Sequence, residues 1–319
     1  MDLSETQPCP AVLVIAFNRV DTVSRVMAAL RQAKPAQLYL ACDGPRAGRA
    51  GEREAVAAVR AVMADVDWPC AVKTRFLDEN LGCARGVSSA IEWFLSEAGE
   101  GIILEDDCLP SPAFFPYAAA MLERYRDDHR VAQVSGSNMV PEVAFEHDHG
   151  FSRLATSWGW ATWRRAWVGY TLLPAMIEPD EPWARNFDPR AFRFLAKGFR
   201  KILGGTVHTW DYQWLVHLLR RGQLTVVPRK NLVVNIGFDG QGAHYSGKGR
   251  SWWVPAHAFA FQGDWTEEVP VVPDAAYDRN YAIASFAGVG QWARACLKVQ
   301  RWFAFRRCNQ APDRWTPTV

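Results

Sequence analysis

Three consecutive acids, Glu105, Asp106 and Asp107, form the segment of this sequence with the clearest capacity for chemistry. They follow a short apolar run at 101–104, which is typical of a buried β-strand. Because neighbouring carboxylates at the edge of a low-dielectric sheet repel one another, we expect a counter-charge beside them. A hard divalent cation is the simplest candidate, and a nucleotide diphosphate can supply its remaining oxygen ligands. The alternative is a solvated turn that begins the next segment.

The elements that must position these acids alternate regularly in the first third of the chain. Apolar runs predict strands at 11–17, 37–42, 71–76 and 101–104, with helices at 21–32, 52–63 and 83–96. Four such alternations predict an α/β fold whose parallel strands are joined by right-handed crossovers. Ligands of such sheets bind beyond the carboxyl ends of the strands. Polar residues follow all four predicted strands there: Asn18 and Arg19, Asp43, residues 78–80, and the acidic triplet.

Composition and loop chemistry exclude several classes of protein. The 319 residues are 49% apolar and 22% charged, which suits a folded core and excludes general disorder. A net charge of +2 gives no support for a nucleic-acid partner. The predicted strand ends lack the glycine-rich loops of dinucleotide dehydrogenases and P-loop enzymes. Seven scattered cysteines, with no secretory signal and no bilayer-length apolar run, favour a cytoplasmic protein.

Later segments are less regular, and several of their motifs complete a resemblance. AFNR, ACDGP, ENLGCARG and ILEDDC resemble, in this order, the nucleotide-sugar-binding half of GT-A glycosyltransferases, close to family 2. WGWATWRRAW, TWDYQW and GFDGQGAHYSG occur in the same order as features of the N-acetylglucosaminyltransferase I family. The resemblance implies a Rossmann-like, mostly parallel sheet flanked by helices, followed by a C-terminal extension. We therefore expect a catalytic domain at 1–247, divided into a nucleotide-sugar-binding half (1–110) and an acceptor half (111–247), and an extension at 248–319.

The resemblance also implies an activity and a set of donor-binding residues. It implies a metal-dependent, inverting hexosyl- or N-acetylhexosaminyltransferase that moves a sugar from a nucleotide diphosphate donor, UDP in particular, to a hydroxyl acceptor. A glycan or glycolipid acceptor in glycan or surface polysaccharide synthesis fits this activity. The implied assignments are Asp107 to Mn²⁺ or Mg²⁺, Asp106 to the ribose, Glu105 to the donor or its neighbours, Asn18 and Arg19 to base and ribose, Asp43 to the base, and Arg85 to the phosphates or sugar.

Two further residues are candidates for the reaction itself. Inverting transfer needs a carboxylate that takes the proton of the acceptor hydroxyl, and we assign this role to Asp211 in TWDYQW. The alternative for Asp211 is an acid at a helix N-terminus, stabilised by the helix dipole. His244 lies in a glycine-rich stretch that can close over a donor, where its imidazole could reach the diphosphate or the metal. A solvent-exposed loop histidine is the alternative.

Aromatic and histidine motifs carry both functional and structural interpretations. Trp158 and Trp160 are predicted to stack on sugar faces near the cleft, whereas Trp163 and Trp167 are predicted core residues. The pair His147 and His149 has a spacing that can bind metal, but its polar surroundings predict that it faces solvent.

The last predicted helix is amphipathic. Along 291–307, Trp292, Val299 and Phe303 share one face and Arg294 and Arg301 lie opposite. We expect the apolar face to pack on the protein's own domain, with peripheral contact at the inner membrane face as the alternative.

Two other functions compete with the transferase interpretation. A nucleotidyltransferase also places acids at strand ends, but it normally has a glycine-rich basic loop where this chain has AFNRVD. A non-catalytic carbohydrate-binding protein would account for the tryptophans but has no need for the acidic triplet. Nucleotide diphosphate binding that requires a metal distinguishes the transferase from both.

Overall fold

The apolar run after residue 11 forms an inner strand of an eight-stranded sheet. The structure is a computed structural model, which describes residues 9–143, 145–186, 189–238, 254–261, 263–285, 291–309 and 311–316. The strands are β1 (Val12–Ala16), β2 (Gln37–Cys42), β3 (Ala71–Phe76), β4 (Glu100–Glu105), β5 (Cys108–Pro110), β6 (Val131–Ser135), β7 (His149–Ser152), β8 (Trp160–Trp163), β9 (Leu224–Pro228), β10 (Val233–Asn235), β11 (Ala258–Phe259) and β12 (Arg314–Trp315). The helices are α1 (Val20–Ala33), α2 (Glu52–Ala64), α3 (Gly82–Ala98), α4 (Phe114–Arg124), α5 (Arg164–Trp167), α6 (Pro189–Leu203), α7 (Asp211–Arg220), α8 (Ala275–Ser285) and α9 (Gln291–Asn309), with a 3₁₀ helix at Pro182–Asn186.

The order of the sheet is β3-β2-β1-β4-β8-β6-β9-β7. The first four strands in this order are parallel to their neighbours, as are β6 and β9. The strand β8 runs antiparallel between β4 and β6, and β7 forms an antiparallel edge beside β9. The predicted α/β class, with a mostly parallel sheet flanked by helices, is confirmed. The alternation of the N-terminal third builds the parallel half, and the antiparallel strands belong to the less regular part of the chain.

Both faces of the sheet are covered because β1 is apolar at every position. Val12 and Val14 pack into a core formed with α1, α2 and α4, while Leu13 and Ile15 face the cluster formed with α3 and α7. All five residues of β1 are buried. Full burial of an aliphatic side chain contributes about 1.5–3 kcal/mol, so this strand alone fixes helices on both sides.

The tryptophans of the second half form a packed aromatic cluster against this sheet. Trp160 is fully buried, its ring stacks on Trp210 with centroids 5.8 Å apart, and it also contacts Trp167 and Trp214. The structure therefore corrects the expectation for Trp160: a ring enclosed by three other indoles has no face open to a sugar. Burial of Trp163 and Trp167 agrees with their predicted place in the core.

The histidine pair also differs from the prediction. His149 begins β7 and is 1% exposed, with Nε2 2.8 Å from the Tyr125 hydroxyl. His147 remains partly exposed and lies 2.8 Å from a carboxylate oxygen of Glu267. Because β7 joins the sheet edge, His149 turns into the core, so the expectation that both histidines face solvent is wrong for this residue.

The described residues after 253 pack on the rest of the protein. Asp278 of α8 accepts hydrogen bonds from the Ser152 hydroxyl (2.6 Å) and from Arg153. The Ser111 hydroxyl donates to the Phe259 carbonyl, also across the predicted boundary at 247. The division at 247 stays a prediction, and contacts of this kind tie its two sides together. No helix in the described part of the chain is both long and apolar enough to cross a bilayer.

Helix α9 is oriented opposite to expectation. Its Arg301 is buried, whereas Trp292, Val299 and Phe303 are exposed. The buried ion pair between Arg301 and Glu142, 3.0 Å long, directs this face of the helix inwards. The prediction that the apolar face packs on the protein's own domain is therefore wrong.

Candidate active site

The acidic triplet lies where β4 ends and the chain turns into β5. Its position is fixed by β10, which pairs with β5 so that Asn235 lies opposite Cys108. The Asn235 side-chain amide donates to Asp107 Oδ1 over 3.2 Å, and the Ile236 amide donates to the Asp107 carbonyl over 2.8 Å. A Cβ on Gly237 would lie 2.3 Å from Asp107 Oδ2, so a larger residue there would displace the Asp107 carboxylate from this position. Asn235 is a site residue that the sequence patterns did not reveal, because its role arises from the β5–β10 pairing.

The counter-charge expected beside the triplet is present in the form of Arg19. Its Nη2 contacts Asp106 Oδ1 and lies 3.0 Å from Asp107 Oδ2, so one guanidinium bridges both carboxylates. Arg19 follows β1, which is the parallel neighbour of β4, and this adjacency brings the two strand ends together. Nη1 of Arg19 is buried and has no hydrogen-bond partner among the residues that the structure describes. An anion that approaches this donor would satisfy it.

Burial and mutual repulsion shift the titration of these acids. Burial raises the pKa of Asp106 to about 6, although Arg19 and the Phe17 amide stabilise its charged form. The pKa of Glu105 lies well above its usual range because of burial and the negative charges of Asp107, Asp106 and Asp211. The contribution of Asp211 places it within electrostatic reach of the triplet, although more than 100 residues separate them in the sequence.

Asp43 is held by a dense set of hydrogen bonds. Its carboxylate accepts from the amides of Gly44, Leu81 and Gly82, each over 2.9 Å, and from the Asn80 side chain over 3.0 Å. Because two carboxylate oxygens offer about four acceptor positions, these four donors saturate Asp43. The residue therefore joins the end of β2 to the start of α3, and it shapes the cavity wall there.

One cavity of about 260 Å³ gathers most of the predicted donor-binding residues. Asn18, Arg19, Asp43, Glu105 and Asp106 all contribute to its lining. They come from the carboxyl ends of β1, β2 and β4, which agrees with the rule that ligands of such sheets bind at this edge. The structure thus brings together five residues that lie up to 88 positions apart.

Two residues of this region escaped the sequence analysis. Glu52, at the start of α2, is buried and accepts hydrogen bonds from the Arg46 amide (2.7 Å) and from the Asn18 side chain (3.3 Å). Arg46 lowers the pKa of Glu52, mainly through the hydrogen bonds of its side chain and also through its backbone amide. Arg46 lies over the Phe17 ring at 5.4 Å and lines the cavity. Arg46 ends the DGPR turn that follows β2, and this position near a strand end is the signal that could have identified it.

Arg85 lies apart from this cavity. It is exposed in the first turn of α3 and lines a shallow groove together with Trp167 and Tyr170. The structure therefore does not bring Arg85 together with the other predicted donor-binding residues. Its neighbour Gly86 does face the cavity, because successive residues of a helix point about 100° apart.

Asp211 lines a second cavity of about 230 Å³ together with Trp158, Tyr212 and Tyr281. It is the first residue of α7, and its Oδ1 accepts a hydrogen bond from the Thr209 hydroxyl. Its charge contributes to the raised pKa of Cys83, which lines the first cavity and titrates at about 12 mainly because of burial. Asp211 thus lies near both cavities. Trp158 is half-buried and meets Phe238 edge to face, with centroids 5.7 Å apart. His244 lies outside the described residues.

The acidic residues fit a cation that is bound through few protein atoms. Within the described ranges no three His, Cys, Asp or Glu side chains converge as ligands for a metal ion, so these residues alone provide no closed cage. The Asp107 side chain is 17% exposed, and carboxylate oxygens suit Mg²⁺ or Mn²⁺. Such an ion would need further oxygen ligands, and a diphosphate is a source of them.

Comparisons with known proteins give only distant likenesses. No protein-family model matches the chain, and no curated protein gives a significant match. In structure the chain is similar to a mannosyltransferase from Pyrobaculum calidifontis in complex with GDP-mannose and Mn²⁺, at 15% identity and a TM-score of 0.35, over 67% of this chain and 74% of that one. It is also similar to mouse xyloside xylosyltransferase 1 in its apo form, at 13% identity and a TM-score of 0.34, over 67% and 83%. At this level of similarity neither likeness identifies the activity of this chain.

Proposed function

We propose that this chain is a metal-dependent, inverting glycosyltransferase that uses a nucleotide diphosphate sugar, UDP-linked by the motif resemblance, and a hydroxyl acceptor. One observation carries the proposal. Asn18, Arg19 and the triplet Glu105–Asp107 meet at the carboxyl edge of the sheet, and Asp211, which lines a second cavity, lies within electrostatic reach of Glu105. A sugar acceptor in a glycan or surface polysaccharide pathway suits the aromatic wall of that second cavity.

The first cavity has groups for each part of a nucleotide diphosphate. Nη1 of Arg19, which has no partner among the described residues, supports binding of a phosphate oxygen, because this buried guanidinium N–H would gain an acceptor. Phe17 and Arg46 form a stacked wall that suits the flat face of a base. We assign the ribose to Asn18 and Asp106. Asp43 acts by positioning Asn80 and Gly82, which line the same cavity.

Asp107 would hold the divalent cation. When bound, the cation would neutralise the charge that develops on the departing diphosphate. Asn235 and Arg19 hold the Asp107 carboxylate in place from two sides, and Gly237 lets the following chain pass close to it. The residues after Phe238 include His244, which we assign to the donor side of the site.

Asp211 would remove the proton of the attacking hydroxyl. The Thr209 hydroxyl donates to Oδ1, which leaves Oδ2 for the acceptor. Trp158 and Tyr212 border the same cavity, where they can contact the C–H face of a sugar and exclude water. Attack from this cavity on a donor held in the first one would displace the diphosphate from the opposite side and invert the anomeric carbon, as the motif resemblance implies.

Calorimetric titration with UDP, with and without Mn²⁺, tests the proposal. We expect binding that requires the metal in the native protein and falls about 100-fold or more in Asp107→Asn, because removal of one charged hydrogen-bonded ligand costs about 3 kcal/mol. Glu54→Gln, an exposed acid on α2, is the matched control and should bind as the native protein does.

The two other functions give different results in this titration. A carbohydrate-binding protein would bind oligosaccharides and show no heat with UDP in either condition. A nucleotidyltransferase would bind nucleoside triphosphates with metal in preference to UDP. Either pattern would overturn the transferase proposal.

A further inference from the structure

Helix α9 presents an apolar surface to solvent. Trp292 is 86% exposed, and Val299, Trp302 and Phe303 are each about half exposed. At 100° per residue these four side chains fall within about a third of the helix circumference. The opposite face is the one that docks: Leu297, Arg301 and Ala304 are buried, and Arg301 binds Glu142 and the Met139 carbonyl. The outward direction of the apolar stripe is therefore fixed by a buried ion pair.

The charge of α9 indicates which kind of partner would bind this apolar stripe. The helix carries five Lys or Arg residues and no Asp or Glu. Lys298 flanks the stripe on one side and Arg307 on the other, and Arg306 lies within it, stacked over the Trp302 ring at 3.9 Å. Exposed aromatic rings bordered by cations are the pattern of helices that lie in the interface of an anionic bilayer. Two copies of this face would bring like charges together, which disfavours self-association through it.

We propose that α9 binds an anionic lipid bilayer surface, with Trp292, Val299, Trp302 and Phe303 in the headgroup boundary and Lys298, Arg306 and Arg307 on the lipid phosphates. The inference is independent of the proposed transferase activity, because it depends only on the exposure and charge of this helix. Met139, whose carbonyl receives Arg301, also lines the cavity of Asp211. Membrane contact through α9 would thus hold that cavity close to the lipid surface.

Vesicle flotation of the full chain tests this proposal without any sugar donor. We expect the protein to float with vesicles of phosphatidylcholine and phosphatidylglycerol, to bind vesicles of phosphatidylcholine alone much more weakly, and to be released by high salt. The double change Arg306→Glu and Arg307→Glu should lower the partition coefficient at least about 25-fold, at roughly fivefold for each arginine lost, and the two added negative charges should lower it further. Trp292→Ser with Phe303→Ser should lower it about tenfold or more.

Leu173→Ser is the matched control, because Leu173 is 76% exposed but lies outside α9. It should bind vesicles as the native protein does, and all variants should unfold at the native urea concentration. The proposal is overturned if the native protein fails to bind the anionic vesicles, or if the α9 variants bind as well as the control. It is also overturned if Trp292→Ser abolishes a concentration-dependent dimer and leaves lipid binding unchanged.

Discussion

The two cavities beside the sheet are built from different chemistry. In the first, charged side chains meet other charged groups: Arg19 bridges Asp106 and Asp107, and Arg46 covers Glu52. In the second, Asp211 is bordered by the aromatic side chains of Trp158, Tyr212 and Tyr281. The first arrangement suits a charged ligand that exchanges with existing ion pairs, whereas the second suits a neutral ligand with C–H faces. Under the proposed function, the first cavity would bind the donor and the second would deprotonate the acceptor.

The cavities also differ in how the chain builds them. The first draws on consecutive βα units, so its residues follow the ends of neighbouring parallel strands. The second draws on the start of α7, the segment before β8, and α8, which are far apart in the sequence. A change in one cavity should therefore leave the other function intact.

The largest expected effect separates the two cavities most sharply. Asp211→Asn should lower turnover about 10²- to 10⁴-fold, because the acceptor hydroxyl loses its proton acceptor. Binding of UDP and Mn²⁺ should stay at the native level, as calorimetry can measure, since Asp211 does not line the first cavity. Full turnover in this variant would show that Asp211 is only a helix N-terminal acid.

The two tryptophans at the start of the WGWATWRRAW segment provide a further test. Trp160→Ala should lower the free energy of unfolding by about 3–5 kcal/mol, because it empties the centre of the aromatic cluster. Trp158→Ala, on the half-buried residue of the same motif, should cost less stability and raise the KM of the acceptor. Urea unfolding of both variants gives the comparison, and equal stabilities would contradict the different burial of the two rings.

A smaller effect concerns the buried, uncharged imidazole of His149 in β7. Burial lowers the pKa of His149 to about 4, so the unfolded chain binds a proton near its ordinary value of 6.5 while the folded protein does not. This residue therefore contributes stability above about pH 6.5 that is lost as the pH falls towards 4. Between about pH 7.5 and pH 5 the native protein should lose about 2 kcal/mol more than His149→Phe does. Equal losses in urea unfolding would refute a buried neutral imidazole.

Much of the fold could be predicted where one pattern dominates. The predicted bounds of β2 and β3 agree with the structure at both ends, because each is an apolar or alternating run between clear turns. The antiparallel strands β7 and β8 were missed, because they are short and their pairing partners lie far away in the sequence. For the same reason the polar surroundings of His149 wrongly predict that it faces solvent.

The residues of the candidate site also fall into those that a sequence pattern predicts and those that it does not. Strand ends located Asn18, Asp43 and the acidic triplet, since the carboxyl ends of parallel strands meet at one edge. The roles of Asn235 and Glu52 depend on side-chain contacts that no local pattern encodes.

The order of apolar runs, turns and polar strand ends determined by itself that this protein has an α/β sheet with acids at its carboxyl edge. Only the tertiary structure decided that Arg19 bridges those acids, that Trp160 is enclosed, and that α9 turns its apolar stripe outwards. The reason is physical. Periodicity states which residues share a face, but a buried partner such as Glu142 decides which face turns inwards.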